Sequence, residues 1–135
     1  MDEIIINKSD SIKRCIRRIE EDFDEEFENN FTKQDAVILN IQRAIQQAID
    51  LGTYIIKQTK LEIPKSSREV FEILEKNKII SKELSKNLQK MVGFRNLAVH
   101  EYDKLDLSIV EYIVRERIWD LIEFIKEINE IKSLD

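Results

Sequence analysis

A stripe of apolar residues at helical spacing between positions 37 and 56 constrains the fold of this chain more than any other feature. The stripe continues for about six turns and consists of Val37, Ile38, Ile41, Ala44, Ile45, Ala48, Ile49, Gly52, Ile55 and Ile56. We predict a central helix of roughly 40 Å that begins near Thr32, where Thr32 to Asp35 resembles a capping box with Asp in place of Glu. Gly52 within the stripe indicates a tight crossing with another helix or close approach by a ligand.

Four further segments repeat the one-sided apolar pattern. We expect helices at about residues 9–27, 66–77, 82–95 and 105–128, the second of these being short. Pro64 separates the central helix from the short one because it disfavours helical geometry and cannot donate a backbone hydrogen bond. The sequence therefore predicts one all-α domain over residues 1–135. The expected fold is an antiparallel up-and-down four-helix bundle with one short additional helix.

The single cysteine and the single histidine exclude several kinds of site. Cys15 has no partner for an internal disulfide, and one thiol fits a reducing compartment. One Cys and one His cannot build a structural zinc site, and no run of carboxylates has the spacing of a cation site. His100 is far along the chain from Cys15, so a Cys–His nucleophile is not indicated. We expect no metal and no other cofactor.

Charge and hydropathy limit the partners. The apolar run within residues 1–7 has three residues, too few for a signal peptide or a membrane span, so we expect a cytoplasmic protein without membrane association. The net charge of −5 disfavours general nucleic-acid binding, because Lys and Arg supply the phosphate contacts. Local clusters can still bind phosphate. Arg14, Arg17 and Arg18 on the first helix either form a solvated face or serve a phosphate-bearing ligand.

Residues 93–103 carry the least common chemistry in the chain. This stretch contains Arg95, Asn96, His100 and Tyr102 within eight positions. Histidine changes charge near neutral pH, which suits His100 to proton transfer. The planar guanidinium of Arg95 can bind phosphate oxygens, and Asn96 can add a neutral hydrogen bond. We take Arg95, Asn96 and His100 as candidate catalytic residues.

The spacing of these residues resembles a known motif. Arg95, four residues, His100, one residue and Tyr102 match the Arg-x4-His-x-Tyr pattern of HepT toxins, a family of HEPN-domain ribonucleases. Residues 43–52 look like the second helix of that family, and Gly-Phe-Arg-Asn at 93–96 opens the motif in the same way. The resemblance covers nearly the whole chain and agrees with the all-helical frame.

This resemblance implies a specific function. The family's members are toxins of type VII-like toxin–antitoxin systems, so the chain is expected to be a metal-independent endoribonuclease. His100 is the implied general acid or base, and Arg95 the implied phosphate ligand. HEPN proteins are typically homodimers with the active site at the dimer interface. The implied antitoxin is an MNT-type, MntA-like nucleotidyltransferase that adenylylates Tyr102 and so blocks RNA entry.

Alternatives remain open at this point. Lys82, Lys86 and Lys90 recur every four residues, and this row either extends an RNA-binding surface or forms a solvated face. Tyr102 could instead pack against the final helix. The whole chain could be a non-catalytic helical binding subunit of a nucleotidyltransferase complex, or a bare dimerisation module.

Overall fold

Long helices account for most of residues 2–131, the part of the chain that the computed structural model describes. They are α1 (Glu3–Asp22), α2 (Phe31–Gln58), α3 (Ser67–Lys76), α4 (Lys82–His100), α5 (Leu107–Tyr112) and α6 (Trp119–Asn129). A π-helical turn, Ile113–Arg117, joins α5 to α6, so the two form one interrupted helix. Residues 2–131 contain no strand, and the predicted all-α fold is confirmed.

Contacts between helix ends show that consecutive long helices run antiparallel. The Tyr54 hydroxyl, near the end of α2, donates to the carboxylate of Asp2, which precedes α1. The Ser81 N–H, which precedes α4, donates to Glu127 Oε1 near the end of α6 at 2.8 Å. The fold is thus four antiparallel helical segments with the short α3 added, as predicted.

The short helix α3 packs against both α2 and α4. A Cβ built on Gly52 of α2 would lie 2.6 Å from Val70 Cγ1 and 3.2 Å from Leu74 Cδ1, both on α3. The Phe71 ring of α3 meets the Phe124 ring of α6 edge-on, with centroids 5.6 Å apart. Gly52 therefore marks a tight helix crossing, which was the first of its two predicted roles.

The boundaries of α1 differ from those predicted. The helix begins at Glu3 because the Asp2 carboxylate accepts hydrogen bonds from the N–H groups of the next turn. It ends at Asp22 because the Phe23 backbone leaves helical geometry, and the Phe23 ring packs on Phe27 at 4.9 Å between centroids. The prediction of a helix over residues 9–27 was wrong at both ends.

Side chains also cap the next three long helices. Ser66 and Ser81 cap α3 and α4, each accepting a hydrogen bond from the N–H three residues later. The capping box at Thr32 was wrong, since Asn30 Oδ1 caps α2 by accepting from Lys33 N. Asp35 does not cap α2, and its side chain instead accepts a hydrogen bond from the Tyr102 hydroxyl. The central helix has 28 residues, or about 42 Å, as expected.

None of the helices within residues 2–131 is long and apolar enough to cross a membrane.

Candidate active site

Arg95, Asn96 and His100 all belong to α4, because this helix continues to His100 instead of ending near Arg95. The predicted end of this helix near residue 95 was wrong. Five residues at about 100° each place Arg95 and His100 about 140° apart around the helix axis. Asn96 precedes His100 by four residues, so these two side chains share one face. The structure brings Asn96 and His100 together and directs Arg95 elsewhere.

The Arg95 side chain is held against α3. Its Nη2 donates to Ser67 Oγ at 2.8 Å, and Ser67 is the first residue of α3. The Nε atom is buried and has no hydrogen-bond partner among the described residues. None of the ion pairs within residues 2–131 includes Arg95. The guanidinium is therefore oriented by a neutral hydroxyl and keeps donors for an anion.

Asn96 and His100 are both exposed on the outer face of α4. Lys82, Lys86 and Lys90 are exposed as well, and helix periodicity places them within about 80° of His100. The lysine row thus runs along the face that carries His100, towards the start of the helix. Its role in RNA binding stays a prediction.

Tyr102 follows α4 in a 3₁₀ turn and reaches the start of α2. Its hydroxyl donates to Asp35 Oδ1, so its polar contact is with α2 and not with the final helix. The side chain is 43% exposed. Partial burial, and then the hydrogen bond to Asp35, raise the pKa of Tyr102 to about 12. The phenol is therefore neutral and accessible at physiological pH.

An apolar pocket of about 300 Å³ lies between α4 and α5. Phe94 and Leu97 of α4 form one wall, and Ile109 and Tyr112 of α5 form the other. Ile109 is 47% exposed and Tyr112 is 54% exposed. A continuous apolar patch therefore adjoins the face that carries His100.

The other sequence candidates lie apart from this region. Arg14, Arg17 and Arg18 are exposed on α1, whose main partner is α2, and their phosphate role stays a prediction. Cys15 is buried, and burial raises the pKa of its thiol, which disfavours the nucleophilic thiolate. Within residues 2–131 no group of three or more His, Cys, Asp or Glu side chains is placed to hold a metal ion.

A comparison with protein families decides what kind of protein carries this site. The model of the Ribonuclease HepT-like family matches residues 9–128. The chain belongs to the HepT-like ribonuclease family. The family and the ribonuclease class expected from the motif are thereby confirmed.

Known HepT proteins are similar to the chain over most of its length. The mRNA nuclease HepT of Shewanella oneidensis is 47% identical over 96% of this chain and 98% of its own length. The tRNA nuclease HepT of Aphanizomenon flos-aquae is 28% identical over 78% of this chain and 71% of its own. A solved structure of the tri-AMPylated Shewanella oneidensis HEPN toxin in complex with MNT antitoxin has a TM-score of 0.93 and 46% identity, and the match covers 97% of this chain and 100% of that one.

Three contacts of the candidate site were not predicted from the sequence. Asp35 meets Tyr102 across 67 positions, and Ser67 meets Arg95 across 28. Arg68 covers Gly93 from the start of α3. The spacing of apolar residues within one helix does not indicate which side chains of two different helices will be in contact.

Proposed function

We propose that this HepT-like protein is a metal-independent endoribonuclease and the toxin of a type VII-like toxin–antitoxin system. His100 transfers protons, Arg95 binds the scissile phosphate, and Asn96 adds a hydrogen bond. The observation that carries the proposal is the Arg95 guanidinium, oriented by Ser67 and unpaired with any carboxylate within residues 2–131, on the helix that exposes His100. We further propose that residues 1–135 act as one domain in the cytoplasm.

The chemistry needs two proton transfers and stabilisation of negative charge. The 2′-oxygen of a ribose attacks the adjacent phosphorus, and the bond from phosphorus to the 5′-oxygen breaks. A base takes the 2′-hydroxyl proton, and an acid gives a proton to the leaving 5′-oxygen. His100 can perform either transfer, and Arg95 stabilises the charge that builds on the phosphate oxygens. The products are a 2′,3′-cyclic phosphate and a 5′-hydroxyl.

A second copy of the chain completes this site. Within one protomer Arg95 and His100 leave α4 about 140° apart, so one protomer does not converge them on one phosphate. A twofold dimer would supply two copies of each residue at one interface. The apolar patch of Leu97, Ile109 and Tyr112 adjoins the face of His100 and offers the contact surface.

Control of the toxin is proposed to act at Tyr102. A cognate MNT-type nucleotidyltransferase would transfer AMP to the Tyr102 hydroxyl, which is exposed and close to His100 in sequence. The AMPylated state of the similar Shewanella oneidensis toxin, bound to MNT antitoxin, supports this proposal. Added phosphate would repel the RNA backbone beside Arg95 and His100. The intact mass of the wild-type chain should increase in whole AMP units after co-expression with the antitoxin, and that of Tyr102→Phe should not.

Cleavage of RNA by the purified chain tests the central claim. Wild-type protein should cleave single-stranded RNA in the presence of a metal chelator and leave 2′,3′-cyclic phosphate ends. His100→Ala should reduce the rate by at least about 100-fold, since general acid–base catalysis contributes that much or more. Arg95→Ala should reduce it by a similar factor. Undiminished cleavage by His100→Ala would contradict the proposal.

RNA cleavage, measured together with binding to the nucleotidyltransferase, distinguishes this function from the alternative one. A wild-type chain that cleaves no RNA but forms a stable complex with the nucleotidyltransferase would be a non-catalytic helical binding subunit.

A further inference from the structure

Arg68, the second residue of α3, lies across Gly93 of α4. A Cβ built on Gly93 would be only 2.7 Å from Arg68 Nη2 and 3.8 Å from its Cζ. Any other residue at this position would therefore displace the guanidinium. Gly93 is not in the left-handed region, so backbone geometry does not require glycine here. The close approach of Arg68 is the contact that a side chain at position 93 would disturb.

No stabilising role for the Arg68 charge is evident. A cation in the first turn of a helix is opposed by the helix dipole. The neighbouring carboxylate of Glu69 accepts a hydrogen bond from the Lys65 N–H at 3.1 Å. Arg68 takes part in none of the ion pairs within residues 2–131, and its side chain is exposed. The charge therefore lies beside Gly93 without a paired carboxylate among residues 2–131.

The position of Gly93 places that charge on the face of the proposed active site. Gly93 precedes His100 by seven residues, so the two point the same way to within about 20° and are about 10 Å apart along the axis. The residues within about 60° of Gly93 around the helix include Lys86, Lys90 and Asn96. Arg68 therefore adds a planar phosphate-binding group from α3 to a face otherwise formed by α4 alone.

We propose that Arg68 is an RNA-binding residue that holds a phosphate next to the scissile one, and that Gly93 is the residue that lets it lie there. The proposal rests on the ribonuclease function proposed above. Gly93, next to the Arg68 guanidinium, is about 10 Å from His100 along the helix axis, which assigns Arg68 to a neighbouring phosphate. The guanidinium suits this task, because it binds phosphate oxygens through two parallel N–H groups.

RNA affinity measured without cleavage tests the proposal. The probe is a fluorescein-labelled single-stranded oligoribonucleotide of about ten nucleotides, bound to full-length His100→Ala protein and followed by anisotropy. Adding Arg68→Ala should weaken binding about tenfold, the effect of one hydrogen-bonded ionic contact. It should also reduce the slope of log affinity against log salt by about 0.7, as expected for one lost phosphate contact on a single strand. Arg68→Lys should retain part of the affinity.

Two further variants distinguish a specific contact of Arg68 with RNA from the general effect of removing one positive charge. Arg43→Ala removes the same charge from an exposed position on α2 and should change affinity less than twofold. Gly93→Ala leaves every charge in place but displaces the Arg68 guanidinium, so it should weaken binding nearly as much as Arg68→Ala. Its melting temperature should equal or exceed that of the parent, because alanine favours the helix and the atom it meets is the flexible end of Arg68.

Cleavage kinetics with His100 intact complete the test. Arg68→Ala should raise KM for a short RNA about tenfold and change kcat by less than about threefold, because the contact is made before and during the reaction alike. Unchanged affinity and KM in Arg68→Ala, or a loss equal to that in Arg43→Ala, would overturn the proposal. Those results would leave the ribonuclease function standing, since that function is tested by the wild type and His100→Ala.

Discussion

At Tyr102, partial burial and the Asp35 carboxylate together favour the neutral phenol. We expect Asp35→Ala to lower the pKa of Tyr102 from about 12 towards 10 without reaching it, because burial is the larger cause and remains. Tyrosinate absorbance titration checks this, with the Tyr102→Phe curve subtracted to isolate one residue. Asp103→Ala removes an adjacent exposed carboxylate and should leave the titration unchanged. An unaltered pKa in Asp35→Ala would contradict the assigned hydrogen bond.

The raised pKa of Tyr102 also makes the free energy of unfolding depend on pH. The pKa of Tyr102 is higher in the folded chain than in the unfolded one, so the folded state holds the phenol proton more tightly. Its stabilising contribution is complete below about pH 10 and is lost as pH rises through about 12. Urea unfolding should therefore show wild type more stable than Tyr102→Phe at about pH 8, with a smaller difference at about pH 11.

The candidate residues themselves followed from the sequence, whereas their partners did not. Arg95, His100 and Tyr102 are uncommon side chains at a short, recognisable spacing, so a motif sufficed to find them. Their contacts with Ser67 and Asp35 depend on how α3 and α2 pack against α4. Packing between helices is set by the shapes of both surfaces, which no spacing within one helix records.

Gly52 and Gly93 both lie against side chains of α3, but we expect them to respond differently to substitution by alanine. Gly52→Ala places a methyl group 2.6 Å from Val70 Cγ1 in a closed helix crossing, and overpacking of this kind costs about 1–3 kcal/mol. The gain in helix propensity offsets about 1 kcal/mol of this cost, so the net loss of unfolding free energy should be up to about 2 kcal/mol. Gly93→Ala is the matched control and should be neutral or stabilising.

Urea unfolding of four variants checks this expectation. The Val70→Ala background removes the methyl group that Gly52→Ala would meet, so the cost of Gly52→Ala should fall in the double variant. An equal cost in both backgrounds would mean that Val70 is not the source of the crowding.

The sequence predicted which segments form helices better than it predicted the residues at which each helix begins and ends. The apolar stripes placed every long helix because one buried face repeats for many turns. The ends depend on single polar groups, and Asn30 was chosen over Thr32 at α2 by local backbone geometry. The π-helical turn had a signal that was missed, since the stripe steps five residues from Ile113 to Ile118. The Ile118 N–H bonds to the Ile113 carbonyl oxygen at 2.8 Å, across that step.

For the whole molecule, the acidic charge and the RNA substrate are compatible if the cations are gathered on one face. The net charge of −5 predicts weak general affinity for nucleic acid. The exposed face of α4 concentrates Lys86, Lys90 and His100, with Arg68 beside them. Composition could indicate only the average. The helix periodicity and the placement of α3 decide where the positive charges lie.

A dimer that completes the active site is the assembly we expect, and breaking it should abolish cleavage. Ile109→Glu keeps a residue compatible with helix but puts a charge into the apolar patch beside His100. Light scattering should report a dimer for wild type and a monomer for this variant, and cleavage should fall by at least about 100-fold. Ile63→Glu makes the same change at a position that is 86% exposed, outside that patch, and should alter neither property. A monomeric Ile109→Glu protein that cleaves at the wild-type rate would show that one protomer suffices, and Arg95 would then have to reach the phosphate at His100 from its place beside Ser67.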